Sequence, residues 1–413
     1  MEILKKTINN VPVTIIKTDK FKSVAGRLYF KSPVTREKMT SRAVLRNILL
    51  DSCKKYDTSE KLYRKSLEKY DAYLASGSQR VGNYYINSFS FSTLIDKYTK
   101  KGNLSEVVDL FCEIIFNPLV KDNSFDEEIF NIVLNSAKNA LEKVKEESSS
   151  YAERMTLKKL NQDKPYTFVM EEEYLDKLTK ENLYLDYKDM IENSEVELFL
   201  AGDIDFSCPF IEKIVNNVKF NKKYDKELFI KNDLEKTDKK VIKEKGMGTQ
   251  NIINMVMYLK NLNEFELNYV APLYRMILGG GAFSRLFLKI REENSLSYYS
   301  FARYEKDDAL MYIIMGIEKE NFDKAYSLTL DIIDSMKDIK EEELELAKKV
   351  FITNLKESQD RILNVIETYH TGSMCNMEDK EEIIKNINKV QTSDIENLTS
   401  KIEPSLCYFL EGE

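Results

Sequence analysis

The sequence predicts an α+β protein made of two similar domains, and three observations carry that prediction. Short β-branched or aromatic runs bounded by charge alternate with longer stretches whose apolar residues recur every three to four positions. That order of elements occurs twice. Two short matches also recur at offsets near half of the 413 residues. Glu195 to Asp203 (EVELFLAGD) resembles Ser405 to Glu413 (SLCYFLEGE), 210 residues on, and Ala43 to Ser52 (AVLRNILLDS) parallels Ala271 to Gly280 (APLYRMILGG), 228 residues on. Both matches fall in the same order, as a duplicated unit requires. The domains are expected at 1–222 and 241–413, joined by a charged linker at 223–240.

In the first half, Val11 to Ile16 and Ser23 to Phe30 read as strands. Ser41 to Lys54 reads as a helix with Ser41 as N-cap, carrying Val44, Leu45, Ile48 and Leu49 on one face. Thr58 to Tyr73 reads as a second helix, Val81 to Thr93 as a strand, and Lys100 to Phe116 and Asp126 to Met155 as helices. Glu195 to Ala201 is a strand closed by Gly202-Asp203. In the second half, Gln250 to Leu259 is an apolar strand and Leu262 to Leu278 a helix broken by Gly279-Gly280-Gly281. Helix resumes from Ala282 to Arg291. A hairpin (Ser297 to Tyr304, Leu310 to Ile317) follows, then helices from Asn321 to Met336 and from Glu341 to about Leu363. Leu406 to Leu410 is the closing strand.

Composition excludes several classes of function. Thirteen Gly and seven Pro rule out collagen-like or low-complexity segments. A net charge of −7 with both signs interspersed offers no concentrated basic face for nucleic acid. No run approaches the ~18 apolar residues of a membrane span. Five scattered cysteines (Cys53, Cys112, Cys208, Cys375, Cys407) show neither CxxC spacing nor an even count, which fits a reducing cytoplasm. There is one histidine, His370. One imidazole cannot build a histidine-based zinc site, and no Ser/His/Asp set surrounds it. The acidic runs Glu341 to Glu345 and Glu171 to Glu173 read as solvated surface, the first favoured by its place at a helix N-terminus.

The stretch LGGGAFSRLFLKIREENSLSYY is the most informative. As a phosphate loop it lacks both GK[ST] and GxGxxG. Its residues Leu278, Gly279, Gly280, Gly281, Ser284, Arg285, Leu286, Phe287, Arg291, Glu292, Leu296 and Tyr298 instead resemble the signature of the pitrilysin/insulinase zinc peptidases, which include the mitochondrial processing peptidase subunits. The resemblance extends to ELFLAGDID, to Pro165-Tyr166 and loosely to the whole chain. It implies two homologous domains, each a mostly antiparallel sheet packed against helices. It also implies roles for Arg291 and Tyr298, which in that family come from the second domain and donate hydrogen bonds to substrate carbonyls at the zinc site. Arg is a fixed, always-charged donor and a phenol a short directional one. The neighbouring Tyr299 faces away by strand alternation, and Ser295 stands where the family usually has Gly.

The family's zinc motif is HxxEH plus a distal Glu, two histidines binding the metal and the motif Glu activating its water. Alignment through Lys54-Lys55-Tyr56 places Ala43 and Asn47 at the histidine positions, Arg46 at the catalytic Glu, and Asn135 or Ser136 at the distal Glu. No metal ligand remains in this chain, and zinc is expected only in a partner. The resemblance thus implies a zinc-free subunit of a heterodimeric bacterial peptidase, cytoplasmic, acting on unfolded peptide. Its partner is an HxxEH-bearing subunit, with self-association as a homodimer left open. The alternative is an inert pseudoprotease that binds peptide or serves as a scaffold.

Overall fold

A computed structural model describes residues 1–224, 240–246, 248–374, 377 and 380–413. Most of the expected linker, 225–239, lies outside the described residues, as does Cys375. The chain forms two compact units, one of residues 1–140, 168–228 and 358–378, the other of 141–167, 229–357 and 379–413.

The first half runs β1 (Glu2–Ile8), β2 (Val11–Lys17), β3 (Ser23–Pro33), α1 (Arg36–Asp51), α2 (Ser59–Glu68), β4 (Tyr73–Val81), β5 (Tyr84–Leu94) and α3 (Asn103–Phe116). A small hairpin, β6 (Val120–Lys121) and β7 (Ser124–Phe125), precedes α4 (Glu127–Glu146) and α5 (Ser148–Lys159). Then come α6 (Glu172–Asp176), α7 (Lys180–Asn193), β8 (Glu195–Gly202) and α8 (Pro209–Asn216). The second half runs β9 (Lys240–Lys245), β10 (Asn251–Leu259), α9 (Ala271–Gly279), β11 (Ser297–Glu305), β12 (Leu310–Ile317), α10 (Phe322–Ser335), α11 (Glu341–Glu357), α12 (Ile362–Met374), α13 (Lys380–Lys389), α14 (Thr392–Thr399) and β13 (Ile402–Glu411).

The sheets carry the duplication. The first has order β1-β2-β8-β3-β5-β4 and the second β11-β12-β10-β13-β9. With β1 set aside, β2, β3, β4, β5 and β8 occupy the same places as β9, β10, β11, β12 and β13. Each sheet has one parallel pair, β2 with β8 and β9 with β13, and is otherwise antiparallel. The expected α+β architecture is therefore present, with one topology used twice.

The units do not follow a single cut of the chain, as boundaries at 222 and 241 would have it. Segment 141–167 of the first half belongs to the second unit, and 358–378 of the second half to the first. The reason is apolar burial. Ala152 of α5 packs into a core with Ile252, Val256, Leu310 and Leu406, and Ile362, Val365 and Ile366 of α12 pack against Ile16, Ala25, Ile86 and Phe199. Each buried Ile, Leu or Val among them contributes roughly 1.5–3 kcal/mol.

Several elements differ from the sequence reading. Helix α1 starts at Arg36, because Thr35 rather than Ser41 is the N-cap, its side chain accepting from the Lys38 N–H. The expected helix 58–73 stops at Glu68, and Tyr73–Val81 is a strand that its Ser- and Gly-rich sequence disguised. The long helix expected from Asp126 to Met155 breaks at Glu147, which caps α5 by accepting from Ser150 N–H. The helix expected to reach Leu363 ends at Glu357.

Candidate functional site

The glycine run follows α9 and shapes everything after it. Gly279 lies so close to β11 that a Cβ there would sit 2.4 Å from the Ala302 nitrogen, so only glycine fits. Gly281 has φ +154°, and buried Ser284 closes the turn by donating its hydroxyl to the Gly281 carbonyl at 2.6 Å. Arg285 then fixes the next helix in place. Its Nε and Nη2 reach the two carboxylate oxygens of Glu343 at 2.7 Å each, Nη1 meets the Ser335 carbonyl at 2.5 Å, and Nη2 the Asp338 carbonyl at 2.7 Å. Burial would raise the Glu343 carboxyl, but the Arg285 fork and the Lys340 N–H outweigh it and hold it below the usual range. Glu343 is thus a structural anchor within a run that reads as solvated surface.

Arg291 sits on backbone of a rare kind. Phe287–Glu293 is a π-helix, and a second, Glu266–Val270, leads into α9. Such turns are poorer than α-helical ones and gather at functional sites. The Arg291 guanidinium lies 4.9 Å from the Phe287 ring centroid with Nε 3.8 Å from Glu292 Oε1, and the side chain is about half exposed. The chain leaves the helix through Ser295, whose φ of +51° is the left-handed conformation that glycine adopts without steric penalty. This is the position where the sequence signature has Gly.

Tyr298 lies at a β-bulge. On the partner strand β12, Ser297 is opposite Ile317 and Tyr299 opposite Gly316, which leaves Tyr298 as the extra residue. Its side chain is 59% exposed and its hydroxyl donates to Glu318 Oε1, just past the end of β12. Tyr299 packs the other way, over Gly316 and against the core cluster that includes Ala152 and Tyr312. A π-helix, a left-handed serine and a bulge within twelve residues set Arg291 and Tyr298 at the solvent-facing end of β11.

In the first unit, Ala43, Arg46 and Asn47 share one face of α1 at i, i+3 and i+4. Arg46 Nη1 donates to the carbonyl of Ser76 on edge strand β4 at 3.1 Å, and Ser76 Oγ donates back to the Arg46 carbonyl at 3.2 Å. Asn47 is exposed and Ala43 half-buried. Asn135 and Ser136 lie exposed on α4. Beneath this face, wholly buried Arg42 ties α1 to α7 through Asp186 at 2.7 Å and Asp189 at 2.5 Å. The zinc of the signature family does not fit these residues. They present no imidazole or carboxylate, and the central one is a guanidinium already bonded to a strand carbonyl. Among the described residues, no three His, Cys, Asp or Glu side chains gather as a metal site.

Sequence reasoning missed two partners. Glu318 of Tyr298 follows an apolar strand and carries no motif, whereas Glu343 of Arg285 was hidden in an acidic run. Among the described residues, no helix is long and apolar enough to cross a membrane.

Residues 177–351 match the family model described as the peptidase M16 inactive domain. A full-length relative, the probable inactive metalloprotease YmfF of Bacillus subtilis (strain 168), is 25% identical over 99% of this chain and 97% of its own. Of solved structures, a conserved protein from Enterococcus faecalis V583 superposes with a TM-score of 0.90, at 22% identity over 100% of this chain and 99% of that one. A peptidase M16 inactive domain from Pseudomonas fluorescens gives 0.77 at 15% identity, covering 100% and 98%. A protease from Helicobacter pylori gives 0.77 at 12% identity, covering 99% of each chain.

Proposed function

We propose that the chain, which is similar to the peptidase M16 inactive domain over residues 177–351, is the zinc-free subunit of a heterodimeric peptidase. In this reading Arg291 and Tyr298 bind substrate carbonyls at the zinc site of an HxxEH-bearing partner. The observation that supports it most is the backbone under those two side chains. A π-helix, a left-handed serine and a bulge each carry a cost, and such features persist where function over-determines them. The α1 face presents no metal-binding side chain at Ala43, Arg46 or Asn47, whereas the Arg/Tyr pair is present and exposed. Zinc belongs to the partner, the substrate is an unfolded peptide, and the complex is cytoplasmic.

The pair's part in catalysis would be electrostatic. A guanidinium and a phenol aimed at a carbonyl oxygen stabilise the negative charge that develops when that carbonyl is attacked. Neither group has to exchange a proton to do so.

The second reading is an inert pseudoprotease that binds peptide or acts as a scaffold. It is favoured by the Tyr298 hydroxyl being already engaged with Glu318, and by Arg46 being bonded to edge strand β4. The two readings separate when the purified chain is mixed with an HxxEH-bearing M16 protein from the same genome. The first expects a stable complex that cleaves an unfolded peptide, with zinc only in the partner. A complex without turnover, or about one tight zinc per copy of this chain, would overturn it.

A further inference from the structure

Helix α12 carries the single histidine into the core of the first unit. The His370 ring is wholly buried, lies flat on Tyr29 with centroids 3.5 Å apart, and meets Phe199 edge-on at 5.3 Å. Neither ring nitrogen has a hydrogen-bond partner, and Glu197 Oε2 stands 3.9 Å from Nε2. Burial first, then the cations Lys31 and Arg27, hold the imidazole neutral far below its ordinary range.

The charged groups around it come from three elements. From β3 come Arg27 and Lys31, and from β8 Glu195 and Glu197, with Lys31 Nζ 3.0 Å from Glu197 and 3.9 Å from Glu195. From α12 itself comes Glu367, which accepts from Arg27 and Tyr29. An imidazolium would face Glu197 Oε2, which accepts no hydrogen bond, stands 3.9 Å from Nε2, beyond hydrogen-bond reach, and lies 3.0 Å from Lys31 Nζ. Burial and the two cations favour the neutral ring over the charged one.

The same helix does a second job. Leu363, Asn364 and Glu367 form one wall of a groove of about 440 Å³ whose other wall is Ser76, Gly77 and Ser78 of β4. Near the helix's other end lies a cavity of about 40 Å³ lined by Lys31, Glu197, Ser373 and Met374. We infer that α12 is an acid-released strap, in which a proton on His370 lifts the helix from the sheet and opens the groove beside β4.

The direction follows from the geometry. A neutral buried histidine contributes its full stability above the unfolded-state value, near 6.5, and that contribution is lost as pH falls from there toward the depressed folded value. With one proton involved, the opened fraction of α12 rises about tenfold per pH unit across that window. The inference does not depend on the chain having a peptidase partner.

The one-histidine sequence makes the test direct. In the full chain labelled with ¹⁵N-histidine, NMR should show the neutral imidazole signal staying in place from pH 7.5 to 5. A protonated signal should grow beside it in slow exchange. Hydrogen exchange of 362–374, corrected for intrinsic rates, should accelerate about tenfold per unit ahead of strands β2 and β8. His370→Phe and His370→Gln should each abolish that acceleration. A single signal titrating smoothly near 6.5 would overturn the inference. So would α12 opening only together with the whole unit, or His370→Gln keeping the acceleration. If the Phe variant folds poorly, the Gln variant and the wild-type spectra decide.

Discussion

Arg285→Ala should destabilise the second unit by about 2–4 kcal/mol. Its side chain is 11% exposed and that of Glu343 27%. Truncation strips Glu343 of a bidentate partner and leaves the Ser335 and Asp338 carbonyls without their donors. Removing one member of a fully buried pair costs about 3–5 kcal/mol, and the water still reaching Glu343 moves the value toward the lower end. For a unit of this size the expected loss lowers the melting temperature by roughly 4–16 °C. Because two units need not unfold together, hydrogen exchange over 341–357 is the better assay than a single melting curve. Arg285→Lys should recover little, since an ammonium cannot fork to both oxygens. The pH dependence has a defined sign. The Glu343 carboxyl is depressed in the folded state, so the pair's contribution is full above the ordinary Glu range and fades as pH falls through the folded value. In Arg285→Ala that acid limb should vanish. A loss under ~0.5 kcal/mol, or a Lys variant as stable as wild type, would contradict a structural role for the Arg285–Glu343 fork.

Ser295→Gly should be neutral or stabilising by up to ~1 kcal/mol, because it relieves a left-handed φ, whereas Ser295→Val should destabilise; thermal melts of the pair check both signs. Gly279→Ala should cost at least ~2 kcal/mol, since its Cβ meets backbone rather than a movable side chain, and urea midpoints measure it. Cutting the chain at a protease site introduced within 225–239 should leave two fragments that co-elute. The physical basis is that α5 and α12 each complete the core of the unit built mainly from the other half. Fragments that separate in buffer would contradict that role.

The repeated topology was legible because strands such as Gln250 to Leu259 and Glu195 to Ala201 are apolar and central, and burial on both faces leaves a continuous signal. The edge strands β1, β4 and β9 were not, although the edge strand β11 was. β1 and β9 are rich in Lys, and β4 in Ser and Gly, so each reads as loop or linker although each extends a sheet. The exchange of α5 and α12 left no trace in local sequence, since an amphipathic helix does not state which sheet it covers. At the site, Gly279 to Arg285 carried a readable pattern because close approach and turn geometry restrict the residue types. Glu318 and the π-helical winding were invisible, since both arise from tertiary packing around ordinary residues. That Ala43, Arg46 and Asn47 carry no imidazole or carboxylate is plain in the sequence, while the bond from Arg46 to Ser76 depends on a strand the sequence concealed.

Arg291 and Tyr298 are proposed to serve a partner's zinc site. The most direct measurement is the turnover of an unfolded peptide by the assembled complex carrying Arg291→Ala or Tyr298→Phe, beside Tyr299→Phe, whose ring packs into the core cluster instead. A fall of ~10²-fold is expected for each of the first two, with dimer formation and zinc content unchanged, and little change for the third. Full activity in both the Arg291 and Tyr298 variants of an active complex would contradict it.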